Sequence, residues 1–352
     1  MATAVPGTTT RQPSRRARTW RWWAGRTLAS LVLLLVVLAA STLAAGAWAK
    51  AVLRAHYPPV GQLVDVGGYR LHIACTGAGS PTVILDAGAG DPGLSWARVQ
   101  PVIARSTRVC AYDRAGLGWS DRSPKPRTAA VMVAELHTLL TRAGIAGPYL
   151  LVGHSLGGLV VRQYAHTYPQ GVVGLVLVES AQEAQWLRYP EPIRSNLPSV
   201  LRQLRVVQAA ASIGILALKP SLYPTESRLP REAAETSRAL KVSSGKAIGT
   251  AVDELASLSQ GGTPPLTTLG DLPVIVLSKS HLDPETVPPG PGITPAVLQD
   301  YERTSEQLQR ELAALSTHGK RMVAAGSGHY VQLDRPDLVS GAIAELLAAA
   351  RK

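Results

Sequence analysis

At 352 residues, with 46% hydrophobic residues, the chain is long enough for one large catalytic domain plus additions. Its net charge of +12 is unevenly spread, because residues 1–54 carry eight Lys or Arg and no acid, which leaves 28 basic against 24 acidic residues for the rest. The body is only mildly basic and has no basic stripe interleaved with aromatics, so nucleic-acid binding is excluded from the expected functions.

The first element in chain order is an uncharged run over residues 27–49, behind a basic tail over residues 1–26. Those 23 residues span roughly 34 Å as a helix, enough to cross a bilayer. Six arginines precede the run, and Trp20, Trp22, Trp23 and Trp48 stand where interfacial aromatics belong. The expectation is a single-pass anchor with a cytoplasmic amino terminus and an extracytoplasmic catalytic domain. Ala47-Trp48-Ala49 has the small-x-small form of a signal-peptide cleavage site, and cleavage there would release a secreted domain. The apolar run is longer than a usual signal core, which favours the uncleaved anchor.

Beyond Pro58-Pro59, strand-like segments are predicted at 62–66, 69–75, 82–86, 107–112, 149–152, 173–178, 274–277 and 321–324. From the third onward they alternate with helical stretches. That is the pattern of an α/β fold: a mostly parallel eight-stranded sheet covered by helices on both faces and begun by an antiparallel hairpin. One helix is predicted over 128–143, with Val133, Leu136, Leu140 and Ala143 on its apolar face and Gly144 closing it. The core is thus expected over 60–180 and 270–352. Residues 181–269 hold helical runs without a convincing strand, which predicts a helical cap inserted over the site. Within it, the apolar stretch 198–218 is read as a packed cap helix, with an acyl pocket or lipid contact as alternatives.

The segment Tyr149-Leu-Leu-Val-Gly-His-Ser-Leu-Gly-Gly158 sets Ser155 between close-spaced glycines where an apolar strand runs into a helix. A serine exposed at such a turn needs a strained backbone, and side chains two residues away on either side would collide. Gly153 and Gly157 remove them. The helix that follows aims free N–H groups at the same spot, with Leu156 N–H as the natural first donor to an oxyanion.

Together with Leu85-Asp-Ala-Gly-Ala-Gly90, Tyr112-Asp-Arg-Ala-Gly-Leu-Gly-Trp-Ser120 and Gly326-Ser-Gly-His-Tyr-Val-Gln-Leu-Asp-Arg-Pro336, this segment resembles the α/β-hydrolase superfamily, in its single-serine, esterase-like branch. The likeness covers about residues 60–349 apart from the cap. It implies Ser155 as nucleophile, His329 as general base, and Ala89 N–H as the second oxyanion donor beside Leu156. Ala87 stands where the family usually has His, a tolerable departure because the donor is backbone. The resemblance also implies a carboxylate to orient the imidazole. Asp283, a few residues beyond the seventh strand, fits with about one extra residue, although a Pro-rich insertion at 284–295 follows it; Glu179, directly after the sixth strand, is the alternative.

His154 is read as a locally bonded filler of the turn, and His72, His137, His166 and His318 as surface or helix positions. Asp113 and Arg114 are read as braces for the loops around the site. In a fold of this kind the strands bearing Cys75 and Cys110 are neighbours, so an extracytoplasmic location allows a disulfide between them. No metal-ligand or nucleotide-binding spacing occurs, and no cofactor is expected.

The expected function is therefore hydrolysis of a small-molecule or lipid ester through an acyl-enzyme. Acyl transfer to an alcohol acceptor and a non-catalytic receptor on the same fold are the alternatives. Substrate identity and oligomeric state are not legible.

Overall fold

The computed structural model describes residues 4, 7, 15–283, 287 and 290–352. Most of the predicted basic tail before Arg15, and part of the Pro-rich insertion after Asp283, lie outside the described residues.

Eight strands form one sheet: β1 (Gln62–Asp65), β2 (Arg70–Thr76), β3 (Thr82–Asp86), β4 (Val109–Tyr112), β5 (Tyr149–His154), β6 (Val172–Val178), β7 (Val274–Lys279) and β8 (Gly319–Ala324). Their order is β1-β2-β4-β3-β5-β6-β7-β8. The pairs β1·β2 and β2·β4 are antiparallel and the rest are parallel, so the predicted fold class holds. The inner parallel strands read as unbroken apolar runs because both of their faces are covered.

The period of two is visible in the packing. Ile84, Leu151, Leu175, Leu177 and Val276 join the core on one face, under helices Ala129–Arg142 and Leu156–Thr167. Their neighbours Val83, Leu85, Leu150, Val152 and Val176 join the core on the other, under helix Pro336–Ala350. Helix Ala129–Arg142 buries Val133, Leu136 and Leu140 as its spacing predicts, and the Thr128 hydroxyl caps it by accepting from Val131 N–H.

Cys75 and Cys110 lie opposite each other on β2 and β4 and form a disulfide.

Between β6 and β7 the chain forms helices Gln185–Arg188, Glu191–Ser212, Ile215–Leu218, Arg231–Val242 and Lys246–Ser259, with no strand. The single stretch expected at 198–218 is in fact two helices. The first begins earlier, behind Pro190, and runs through Pro198; the break falls at Gly214, whose left-handed φ of 90° ends the turn. The N-terminal helix is also longer than the predicted 27–49, running over Arg15–His56. It is long and apolar enough to cross a membrane, with a mean hydropathy of 2.5 in its most apolar window.

Candidate active site

Ser155 stands between the last residue of β5 and the first residue of helix Leu156–Thr167, with φ 50° and ψ −118°. This left-handed backbone is costly for a non-glycine residue and persists only where the surroundings over-determine it. Here Ser155 N–H donates to Val178 O at 3.0 Å, and Ser155 O accepts from Gly158 N–H at 3.0 Å and Ala181 N–H at 2.9 Å. A side chain on Gly157 would strike the Asp86 carbonyl oxygen, and one on Gly153 would strike the backbone of Gly157. The helix therefore starts hard against the loop that follows β3. Leu156, its first residue, has an N–H without an intrahelical acceptor.

That loop, residues 87–91, is held by Arg114. The guanidinium donates to Asp86 and Ala87 O at 2.6 Å each, to Gly88 O at 2.7 Å, and to both carboxylate oxygens of Glu254 at 2.8 and 3.0 Å. Glu254 also accepts from Gly90 N–H at 2.9 Å, so helix Lys246–Ser259 is fastened to the same loop that carries Ala89. Burial opposes the charge on Arg114, but Glu254 and Asp86 outweigh it and hold its pKa well above the ordinary value. Asp113 braces the neighbouring turn by accepting from Gly93 and Trp119 N–H at 2.7 and 3.0 Å. Both residues thus have the bracing positions read from the sequence.

Arg114→Met leaves two buried carboxylates without their cation, so it is expected to cost about 3–5 kcal/mol of stability in chemical denaturation. Arg114→Lys should recover little, because an ammonium lacks the planar fork that meets Glu254 with two donors.

His329 lies on the loop after β8. Asp334 accepts from Gly328 N–H at 3.0 Å, and Ser280 Oγ accepts from Gly326 and Ser327 N–H at 3.0 and 3.2 Å, which ties this loop to the end of β7. His154 does more than pack locally. Its Nε2 lies 3.0 Å from His329 O, a bond in which the ring nitrogen must donate, so the Ser155 turn and the His329 loop are joined directly. Ser155 and His329 line one cavity of about 600 Å³, together with Ala89 and Glu179.

Burial pushes the His329 imidazole well below its ordinary 6.5, and His154, Lys279 and Arg228 push the same way. Burial also lowers His154. In the unfolded chain both rings take up protons near the ordinary value, so below pH 6.5 the unfolded state binds more protons than the fold. Stability is expected to fall as pH drops through 6.5, and the slope should shrink in His154→Asn; thermal unfolding across pH 5–8 checks both.

The two carboxylates differ in surroundings. Glu179, at φ 41°, is held by Lys279: one oxygen accepts from Lys279 Nζ at 2.7 Å and the other from Lys279 N–H at 2.8 Å. Asp283 is buried and lies beside the His329 loop, with its Oδ2 3.1 Å from where a side chain on Gly328 would begin. Arg228 Nη1 lies 3.8 Å from the same oxygen and 3.4 Å from Asp334 Oδ1.

Among the other histidines His72 is a correction. It is buried in β2, not at the surface or in a helix, because the strand is covered on both faces there; alternation puts it on the face opposite Leu71 and Ile73, and its Nδ1 pairs at 2.9 Å with Asp113 in the turn after β4. His166 and His318 are exposed, and His137 stacks on Tyr168. No group of three metal-ligating side chains converges among the described residues.

Sequence reasoning missed Glu254, Asp334, Arg228 and the Lys279 partner of Glu179. The cavity walls come mainly from the helices after β6: Ile193, Leu197, Val200 and Leu204 from one, Ile248 and Leu255 from another. The lining also includes Asp91 and Lys241, paired at 3.3 Å.

The family model described as alpha/beta hydrolase fold matches residues 81–260. An AB hydrolase superfamily protein of Gibberella zeae is 27% identical over 287 residues, covering 77% of this chain and 87% of that protein. A probable transporter, efuK, of Hormonema carpetanum is 36% identical over 136 residues, covering 36% of this chain and 20% of its own length. The chain therefore spans only a fifth of that relative. Among solved structures, a membrane phospholipase A described as a bacterial virulence factor superposes with a TM-score of 0.59 at 19% identity, covering 93% of this chain and 99% of the other. At that identity the likeness is one of fold.

Proposed function

The chain belongs to the α/β-hydrolase fold family, and from that premise we propose that it is a serine hydrolase cleaving carboxylic esters through an acyl-enzyme. Ser155 Oγ attacks the ester carbonyl while the His329 imidazole takes its proton. The negative charge that develops on the carbonyl oxygen is met by Leu156 and Ala89 N–H, donors fixed in place before reaction by the helix start and by the Arg114-braced loop. The tetrahedral intermediate collapses, the C–O bond to the alcohol breaks, and the imidazolium returns the proton to that leaving group. Water, deprotonated by the same imidazole, then releases the acid and restores Ser155. Asp283 holds the ring and stabilises its charged form.

The observation that carries this reading is that a strained Ser155 and a half-buried His329 line one cavity, from loops far apart in sequence. A histidine whose pKa is lowered by burial stays unprotonated, and so competent as a base, to more acid pH than an ordinary one.

Residues 181–269 form the cap, and the N-terminal helix anchors the protein in the membrane with the catalytic domain outside. Its hydropathy and the six arginines before its uncharged run support this reading. Turnover of p-nitrophenyl esters of increasing chain length by the full chain tests the function. Saturable hydrolysis with release of free acid is expected; ligand binding without release of acid would refute it.

A further inference from the structure

Helix Arg15–His56 does not leave the domain as a free stalk. Gly46 lies within the uncharged run and meets the turn between cap helices Glu191–Ser212 and Ile215–Leu218 backbone to backbone. A side chain on Gly46 would begin 2.7 Å from Ile213 O and 3.0 Å from Gly214 Cα, and one on Gly214 would begin 2.6 Å from Gly46 C. One turn on, Lys50 Nζ donates to Ser212 O at 2.7 Å, and a further turn on Arg54 donates to Ser243 O at 3.0 Å. Whatever depth Gly46 occupies in a bilayer, Ile213 and Gly214 share it.

The surface next to this contact is apolar. Outside the N-terminal helix, eight large apolar side chains are well exposed among the described residues, and four of them fall within residues 213–222: Ile213 (46%), Ile215 (41%), Leu218 (45%) and Leu222 (60%). The charges bordering this patch are largely paired, Arg205 with Asp253 at 3.0 Å and Glu226 with Arg228 at 2.7 Å, so its character is set by the apolar side chains. The layer behind is apolar as well. Leu53 of the N-terminal helix packs in one cluster with Leu204, Tyr223 and Ile248, and those three also line the Ser155 cavity.

We infer that cap residues 213–222 sit in the outer headgroup region of the bilayer, and that the cavity draws a membrane-resident acyl ester across this face. The inference rests on the proposed anchor and on the proposed hydrolase, and its test separates the three.

The full chain is placed in phosphatidylcholine–phosphatidylglycerol vesicles, and alkaline carbonate extraction reports whether it is integral. Because both native cysteines are bridged, Leu218→Cys offers a single site for an environment-sensitive fluorophore, with Val323→Cys on β8 as the water-facing comparison. The 218 label is expected to be blue-shifted and strongly quenched by brominated lipid, and the 323 label is not. Equal, weak quenching at both sites in protein that resists extraction would overturn the docking, whereas extraction of the protein would remove the anchor and the inference with it.

In the same vesicles the double substitution L218E/L222E is expected to reduce hydrolysis of a bilayer-embedded ester at least about tenfold and to spare a soluble short-chain ester. Equal effects on the two esters would refute entry from the bilayer. Inactivity of the unsubstituted chain toward both would count against the hydrolase itself, and the fluorescence measurement would still decide the docking.

Discussion

Ser155→Ala is expected to lower ester turnover by about four to six orders of magnitude while leaving the fold within about 0.5 kcal/mol of the parent. The two outcomes are separable because the residue's structural role is carried by its backbone. Its N–H and C=O hold the turn to Val178, Gly158 and Ala181, and alanine keeps all three bonds. The hydroxyl supplies the nucleophile. His329→Ala alone should cost nearly as much, and the double variant little more, since a nucleophile without its base and a base without its nucleophile fail at the same step. Additive losses in the double variant would mean that the two residues do not act as a unit. Steady-state rates beside urea denaturation measure both quantities.

Asp283→Asn is expected to lower kcat by about 10⁴ with KM little changed, because an amide in place of the carboxylate neither holds the productive tautomer nor stabilises the imidazolium. Glu179→Gln is expected to act on the fold instead. Burial pulls the Lys279 ammonium down, but Glu179 outweighs it and keeps the pKa raised; without that partner the buried cation costs about 3–5 kcal/mol. The Glu179 carboxylate is occupied on both oxygens by Lys279, whereas Asp283 abuts the loop that carries His329. The alternative assignment would be correct if Glu179→Gln lost kcat by orders of magnitude at unchanged stability and Asp283→Asn did not.

The sheet was legible because its inner strands are covered on both faces, which turns β3, β5, β6 and β7 into short apolar runs between turn residues. The Ser155 turn was legible for a local reason: close approach of two backbones demands glycine at 153 and 157, and the demand is written within five residues. What could not be read are the partners. Arg114 and Glu254 lie on separate elements, as do Glu179 and Lys279, and no periodicity links residues that meet only after the sheet has formed. The signal for Glu254 was an acid among the buried positions of helix Lys246–Ser259, beside Thr250 and Ile248. His72 was misread because one histidine in a short alternating strand carries no mark of the buried Asp113 that receives it.

The most direct measurement of the central claim is fluorophosphonate labelling of the full chain, with mass spectrometry to locate the adduct. The reagent phosphonylates a serine only where a base and oxyanion donors activate it. One adduct on Ser155, lost in Ser155→Ala and strongly slowed in His329→Ala, is the predicted result. Folded protein that takes up no label, or carries it on another serine, would contradict the account.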